Sequence, residues 1–493
     1  MGAACIAASL AGCLPAGQFL PPAVEVPSQW HQYEGGGGAQ TRTPAPRAGT
    51  PSETVPYDWW RAFGDATLDR LVEDVLAVNS KLAAAAIRIH QAQLRAGIAA
   101  GNVYPTASGG IGLDASREAG APRVRGNYSV SMHYELDLWG KLAAERDAAR
   151  WAARVTEAQH EAIRITLIGD TARHYWQIGY LNQELVRNEA DMANAQRTLA
   201  VVRGRHEAGA AHGLDVVRAE QGMATLEALK LDLLAQRTRH RNDLAILLDR
   251  QPQAWLHEPR HLPDGPLPGV PDSLPADLLG RRPDLREAEF GLRQLLAQVD
   301  KARAELYPTF SLTGRAGRSS AGLVGFLSNP IPGIGLDIAL PLLDWGKQKQ
   351  EVKVSRDEYE ANVAKFREKW YTALGEVDSA LSARWQLGQQ RDLHALSLVR
   401  AQRAEALARA RFVAGLSDVE PWLTEQRQLR QQQSACAKNR LNRLNNLVSL
   451  YKALGGGVSR GFRNSPPRRG LLGENSRDKP AAWAAESGCL RGP

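Results

Sequence analysis

Few residues of this 493-residue chain could carry chemistry, and they are scattered. Gly-Lys occurs twice, at Gly140-Lys141 and Gly346-Lys347. A phosphate-cradling loop needs another glycine five residues before the second one, and Glu135 and Pro341 stand there. Gly-Ile-Gly runs near Gly110 and Gly333 lie beside or within strand-like alternation instead of opening a helix, so they do not fit a dinucleotide site. No HExxH, GxSxG or paired-carboxylate arrangement emerges. The cysteines Cys5, Cys13, Cys436 and Cys489 have neither CxxC spacing nor histidine companions, which points away from zinc and from a disulfide framework. The expectation is a chain that is not an enzyme and carries no metal or dissociable cofactor.

One covalent modification is suggested. Ala3 to Ala11 is small and apolar, ends in Leu10-Ala11-Gly12-Cys13, and leads into a Pro- and Gly-rich stretch that includes Gly35 to Gly38. This resembles a bacterial lipobox, in which cleavage precedes the cysteine, the sulfur takes a diacylglycerol and the freed amine is acylated, here as N-palmitoyl. Residues 1–12 then read as a signal peptide, and 13–56 as lipid anchor and linker. The leader lacks Lys or Arg before its apolar stretch, so the native start is expected upstream. Two or more acyl chains hold a protein stably on a membrane where one holds it marginally. The simpler alternative is an Ala-rich start with a chance cysteine.

Position of such groups depends on long elements. Between Lys141 and Arg203 there is no proline, and Val155, Ala158, Ala162, Ile165, Ala172 and Trp176 follow helical steps. About 65 residues of helix would reach about 100 Å, too long to bury in one globule. It must lie against other long helices, as a stalk or as a wall of antiparallel hairpins. The stretch occurs twice: Trp139-Gly140-Lys141 returns as Trp345-Gly346-Lys347, Arg205 as Arg411 and Gly209 as Gly415, each 206 residues on. At about 150 residues per domain the length would suggest three domains, but a tandem repeat this long argues for one architecture of two halves.

Each long helix follows a change of period. A helical run from Thr67 to Ala100 ends at Tyr104-Pro105; then Ala107, Gly109, Ile111 and Leu113 alternate weakly, and a polar loop is expected from Asp114 to Asn127. In 128–136, Tyr128, Val130, Met132, Tyr134 and Leu136 face one way, with Ser129, Ser131, His133 and Glu135 opposite. The second half repeats this: a helical run from Asp284 to Glu305 ends at Tyr307-Pro308, Phe310, Leu312 and Gly314 alternate with Thr309, Ser311 and Thr313, and Leu336, Ile338 and Leu340 alternate with Asp337 and Ala339. Apolar-out strands of about 9 to 11 residues can cross a bilayer at a tilt. Four cannot close a barrel, and lipid does not tolerate open edges, so membrane strands would have to be pooled between copies. A small soluble sheet is the other reading. Turns follow at Arg205 to Leu214 and Arg411 to Asp418, with return helices from Asp215 to Leu248 and Val419 to Leu454. This divides the chain into repeats at 57–250 and 281–457, a Pro-rich connector at 251–280 and a tail at 458–493 expected to be disordered.

Formal net charge is +8, and half of the excess lies in that tail, with seven basic residues against three acids. The body intersperses its signs, so a nucleic-acid surface is not indicated. Cys436 reads as a small packing residue.

Taken together, these residues resemble the outer membrane factors, TolC-like channels, in particular the NodT and OprM-like lipoprotein branch. The match rests on Tyr57 to Asp65, Leu-Trp-Gly-Lys, Arg205-x-x-x-Gly209 with Asp215 to Gln221, Arg281-Arg282-Pro283-Asp284-Leu285 and Arg411-Phe412-x-x-Gly415, over roughly Trp59 to Gly457. The resemblance implies a mainly α homotrimer: four strands per protomer form a twelve-stranded outer-membrane β-barrel, and helical hairpins continue it as an α-barrel tunnel through the periplasm. It implies an adaptor protein, an inner-membrane pump, commonly of the resistance-nodulation-division class, and export of drugs or other toxic small molecules. It also implies that the hairpin turns form a periplasmic aperture. Asp215 matches a first-copy aspartate that accepts bonds from the second-copy turn, and Phe412 stands where that turn often has tyrosine. The counterpart of Asp215 is Pro421, so Asp418, Glu420 and Asp215 are the candidate acidic lining, with Arg411 or Arg205 as bonding partner. Ordinary helix caps would explain the same residues. The rival class is a lipid-anchored periplasmic coiled-coil adaptor, which has one hairpin between β-rich halves.

Overall fold

The computed structural model describes residues 19–25, 27, 55–118, 121–252, 258–269, 281–320, 331–340 and 344–457. Cys13, its leader and the 458–493 tail lie outside them. After a short 3-10 turn at Trp59–Phe63, the order is α1 (Ala66–Val78), α2 (Ser80–Gly101), β1 (Thr106–Glu118), β2 (Ala121–Leu136), α3 (Lys141–Glu207) and α4 (Gly213–Leu247). The second half gives α5 (Pro283–Ala304), β3 (Thr309–Ser320), β4 (Ile331–Ala339), α6 (Trp345–Val413) and α7 (Val419–Ala453). No helix among the described residues is long and apolar enough to cross a membrane.

α3 and α6, of 67 and 69 residues, run the full length of the shaft, about 100 Å. Each has two shorter antiparallel partners set end to end, and one side chain joins them in each half. Asn79 caps α2 and donates from Nδ2 to Leu247 O at the end of α4, 2.8 Å away. Arg282 precedes α5 and donates from Nη1 to Ala453 O at the end of α7, 3.2 Å away. The expected single run from Thr67 to Ala100 is therefore two helices. Asn79 leaves helical geometry at ψ 121°, and its Oδ1 accepts from Lys81 N and Leu82 N, which starts a second helix where the first stops.

The strands form one antiparallel meander, β1-β2-β3-β4. The expected loop from Asp114 to Asn127 is instead mostly strand: Leu113 pairs with Gly126 and Glu118 with Ala121. Ladder bonds are made by the main chain, so pairing continues past the point where apolar alternation stops.

The largest core lies near mid-shaft, where the segment before α1 packs on both hairpins. Trp59 stacks on Tyr451 at 5.1 Å, and Phe63 meets Trp176 edge-on at 4.7 Å. Tyr175 donates to Asp65, the N-cap of α1, and burial raises its phenol far above the usual value. Leu262 of the connector is buried in the same cluster. Gly455, Gly456 and Gly457 close the seam with φ of 95°, 58° and 67°, and a Cβ on Gly457 would lie 2.0 Å from Pro56 O. Arg164, buried against Glu161, donates to Gly457 O at 2.9 Å.

Candidate channel tip and membrane face

At the far end of the shaft both hairpins turn alike. Ala210 N bonds to Arg205 O and Gly209 N to His206 O; Leu416 N bonds to Arg411 O and Gly415 N to Phe412 O. This is the paired closure of a Schellman motif, and it needs a left-handed residue four places after the arginine. Gly209 and Gly415 fill that place with φ of 73° and 74°. The Arg-x-x-x-Gly spacing is thus the signature of the turn itself.

The tip is held by a small apolar knot of Val202, Phe412, Val419 and Trp422. Phe412 is 3% exposed and stacks on Trp422 at 5.1 Å. The Trp422 indole donates to Glu405 Oε1 at 2.8 Å. The Arg205 guanidinium also lies over the Phe412 ring, 4.0 Å from its centroid, and donates to Val413 O at 3.4 Å. Arg205 therefore ties the first turn to the second. Arg218 on α4 pairs with Glu420 on α7, and Arg203 with Glu220 at 2.6 Å.

The expected aperture residues have different surroundings at this tip. Asp215 is 6% exposed, and its Oδ2 accepts from His212 N at 3.1 Å, so it caps its own helix. Within the chain the two turns are joined by Arg205, which donates to Val413 O and lies over the Phe412 ring. Phe412 is packed inside the apolar knot against Trp422. Glu420 is exposed but paired with Arg218. Arg411 and Asp418 are the candidates left on the exposed rim. Pro421 falls in the first turn of α7, where its missing N–H costs no helical bond. Trp422, Val419, Val202 and Arg218 were not foreseen. The Pro421-Trp422 pair at the start of a return helix was the available signal, since a large indole there needs something to pack on.

At the opposite end, the strand register aligns apolar residues across all four strands. Gly109 pairs with Val130, Val130 with Ala316 and Ala316 with Pro332; Tyr134 pairs with Leu312 and Leu312 with Leu336. Ile111, Val130, Met132, Leu312, Ile334, Leu336 and Ile338 are all exposed on that face, Ile334 by 87%. The other face is polar and bonded across strands: Ser108 Oγ to Ser131 Oγ at 2.8 Å and Thr313 Oγ1 to Asp337 Oδ2 at 2.6 Å. At its base, Asp137 accepts from Leu142 N and Ala143 N to start α3, and the Trp139 indole donates to Pro308 O while stacking on Tyr307.

The sequence model of the outer membrane efflux protein family matches residues 71–249 and 274–456, most of both repeats. This chain belongs to the outer membrane efflux protein family. It is similar to the probable efflux pump outer membrane protein TtgC of Pseudomonas putida, 30% identical over 91% of this chain and 93% of that one. It is 29% identical to the pyoverdine export outer membrane protein OpmQ of Pseudomonas aeruginosa, over 92% of this chain and 95% of that one. Among solved structures, the open state of the Neisseria gonorrhoeae MtrE outer membrane channel superposes with a TM-score of 0.77 at 26% identity, over 91% of this chain and 99% of the other. As an outer membrane efflux protein the chain is a passive channel, not an enzyme. Two helical hairpins, each preceded by paired strands, leave no room for the one-hairpin adaptor reading.

Proposed function

We propose that three copies of this chain close a twelve-stranded barrel in the outer membrane and continue it as a helical tunnel through the periplasm. The tunnel serves as exit duct for drugs or other toxic small molecules, delivered by an inner-membrane pump of the resistance-nodulation-division class through a periplasmic adaptor. Cys13, carrying S-diacylglycerol and N-palmitoyl groups, anchors each copy in outer-membrane lipid. The observation that carries this reading is the four-strand sheet. One face is exposed and apolar from β1 to β4, and the outer edges of β1 and β4, unpaired among the described residues, would each find the other in a neighbouring copy. Lipid leaves no such edge open, and three copies give enough strands for a lumen.

At the tip the same symmetry would set Arg411 of one copy against the first turn of the next, as Arg205 is set against the second turn within a copy. The test is purification from outer membranes followed by planar-bilayer recording. Trimers that conduct, and that stay in the membrane fraction as Cys13→Ser, support the reading. A soluble monomer that passes no ions overturns it.

A further inference from the structure

Halfway along the shaft of the first hairpin, α3 and α4 bring two histidines together. His174 Nδ1 lies 3.1 Å from His240 Nδ1 and 3.7 Å from Asp243 Oδ2. One donor atom from each of the three falls within 4.8 Å of the others. His240 and Asp243 stand three residues apart and so share a face of α4, while His174 comes from the opposing helix. Hairpin packing, not local sequence, assembles the set.

We propose that His174, His240 and Asp243 form a binding site for a divalent transition-metal ion of the Zn2+ type, clamping α3 to α4 at mid-shaft. Imidazole and carboxylate ligands sit about 2.0–2.2 Å from Zn2+, which places tetrahedral donors about 3.3 Å apart. The observed 3.1 Å and 3.7 Å lie on either side of that spacing, and with all three donor atoms within 4.8 Å of one another, rotation of the Asp243 carboxylate would bring the set toward it. The residues are half-buried, which leaves a fourth position for water. Two imidazoles and one carboxylate suit borderline ions better than Ca2+ or Mg2+.

The repeat supplies a comparison within the same chain. At 206 residues on, the three positions are Ala380, Asn446 and Ser449, and Asn446 Nδ2 donates to Ala380 O at 3.0 Å. A neutral hydrogen bond thus joins the two helices of the second hairpin at the equivalent height. The architecture does not require two histidines and an aspartate there. A plain His174–His240 hydrogen bond would account for the imidazoles; Asp243, 3.7 Å from His174 Nδ1, adds a carboxylate that such a bond does not need. The charged neighbours are Asp170 and Arg173 on α3, Arg239 on α4 and Lys438 on α7. Arg173 is engaged by Asp170 at 3.6 Å and Ser449 Oγ at 2.9 Å, and the Lys438 ammonium sits over the Tyr180 ring. Both cations thus have partners of their own outside the three donors.

The experiment uses the full chain in detergent, without a histidine tag and stripped of metal, with Co2+ as visible probe and Zn2+ as competitor. The expected result is one Co2+ per chain with the absorption of a tetrahedral or five-coordinate ion, displaced by Zn2+. His174→Ala and His240→Ala should each weaken binding about tenfold or more, since even outer-shell changes cost that much, whereas His90→Ala on exposed α2 should not. The paired change His174→Ala with His240→Asn recreates the Ala380–Asn446 arrangement. It should fold, conduct as the unmodified channel does, bind no ion and lose the rise in melting temperature that Zn2+ gives the native chain. No ion bound by the native chain, or undiminished binding by the paired variant, overturns the proposal.

Discussion

A carboxylate at the start of a helix can point back over its own first turn or outward across the pore, and the direction decides whether passing ions feel it. Asp215 points back: it is buried, accepts from His212 N and completes the cap of α4. Asp215→Ala should therefore cost about 1 kcal/mol of stability and leave the conductance of the resting channel nearly unchanged. Arg205 is the opposite case, because its guanidinium spans the two turns through Phe412 and Val413 O. Arg205→Ala should raise resting conductance in planar bilayers with little loss of folded protein. Trp422→Ala should do both, opening the tip and costing about 3 kcal/mol by emptying the space beside Phe412. The location of the tip was legible from Arg-x-x-x-Gly, because the Schellman turn dictates that spacing. Which charges face outward was not, since sequence does not say whether Asp215 reaches His212 N or a neighbour, or that Arg218 neutralises Glu420.

Elements in this fold succeed by being joined at their ends. The lower helices α4 and α7 stop at Leu247 and Ala453, and the residues opening α2 and α5 bond to those last carbonyls. The second joint is the more loaded. Arg282 is nearly buried, pairs with Asp284 and Glu376 at 2.7 Å each and holds Ala453 O as well. Burial of Asp284 pushes its carboxyl up, but the bonds and charge of Arg282 outweigh this and leave it below the usual carboxylate value. A lowered folded value means that the stabilisation is full above the ordinary carboxylate range and is lost as pH falls through the folded value. Asp284→Asn should cost about 1–2 kcal/mol near neutral pH, less than for a fully buried pair because Asp284 is partly exposed, and should flatten the acid limb of a melting-temperature curve. The Arg-Arg-Pro-Asp-Leu run was visible as a motif; its meaning lies 171 residues away at Ala453, beyond the reach of local pattern. The break at Asn79 escaped for a related reason. Apolar spacing continues across it on both sides, and only the contact with Leu247 makes a cap there worthwhile.

For the whole molecule, the decisive feature is that neighbouring residues on one strand face different solvents. Long-period signals were readable in advance: the 206-residue repeat, the helix length and the period-two strands. What alternation could not supply was register, and register is what turns four separately apolar strand faces into one. Val130 sits opposite Gly109 and Ala316 on the apolar face, while Ser131, the next residue, sits opposite Ser108 and Arg315 on the polar face. The two are at the same depth, so a single pair of substitutions isolates the face. Val130→Arg puts a charge into lipid at roughly 2 kcal/mol per chain if near the midplane, and three copies in one barrel multiply that cost. It should deplete trimers from the outer-membrane fraction and abolish conductance. Ser131→Arg adds the same charge where water would fill the barrel, beside Arg315, so trimers should form normally and reversal potentials should shift toward anion preference. Equal tolerance of both substitutions would mean that neither face meets lipid, and the barrel would have to be abandoned with it.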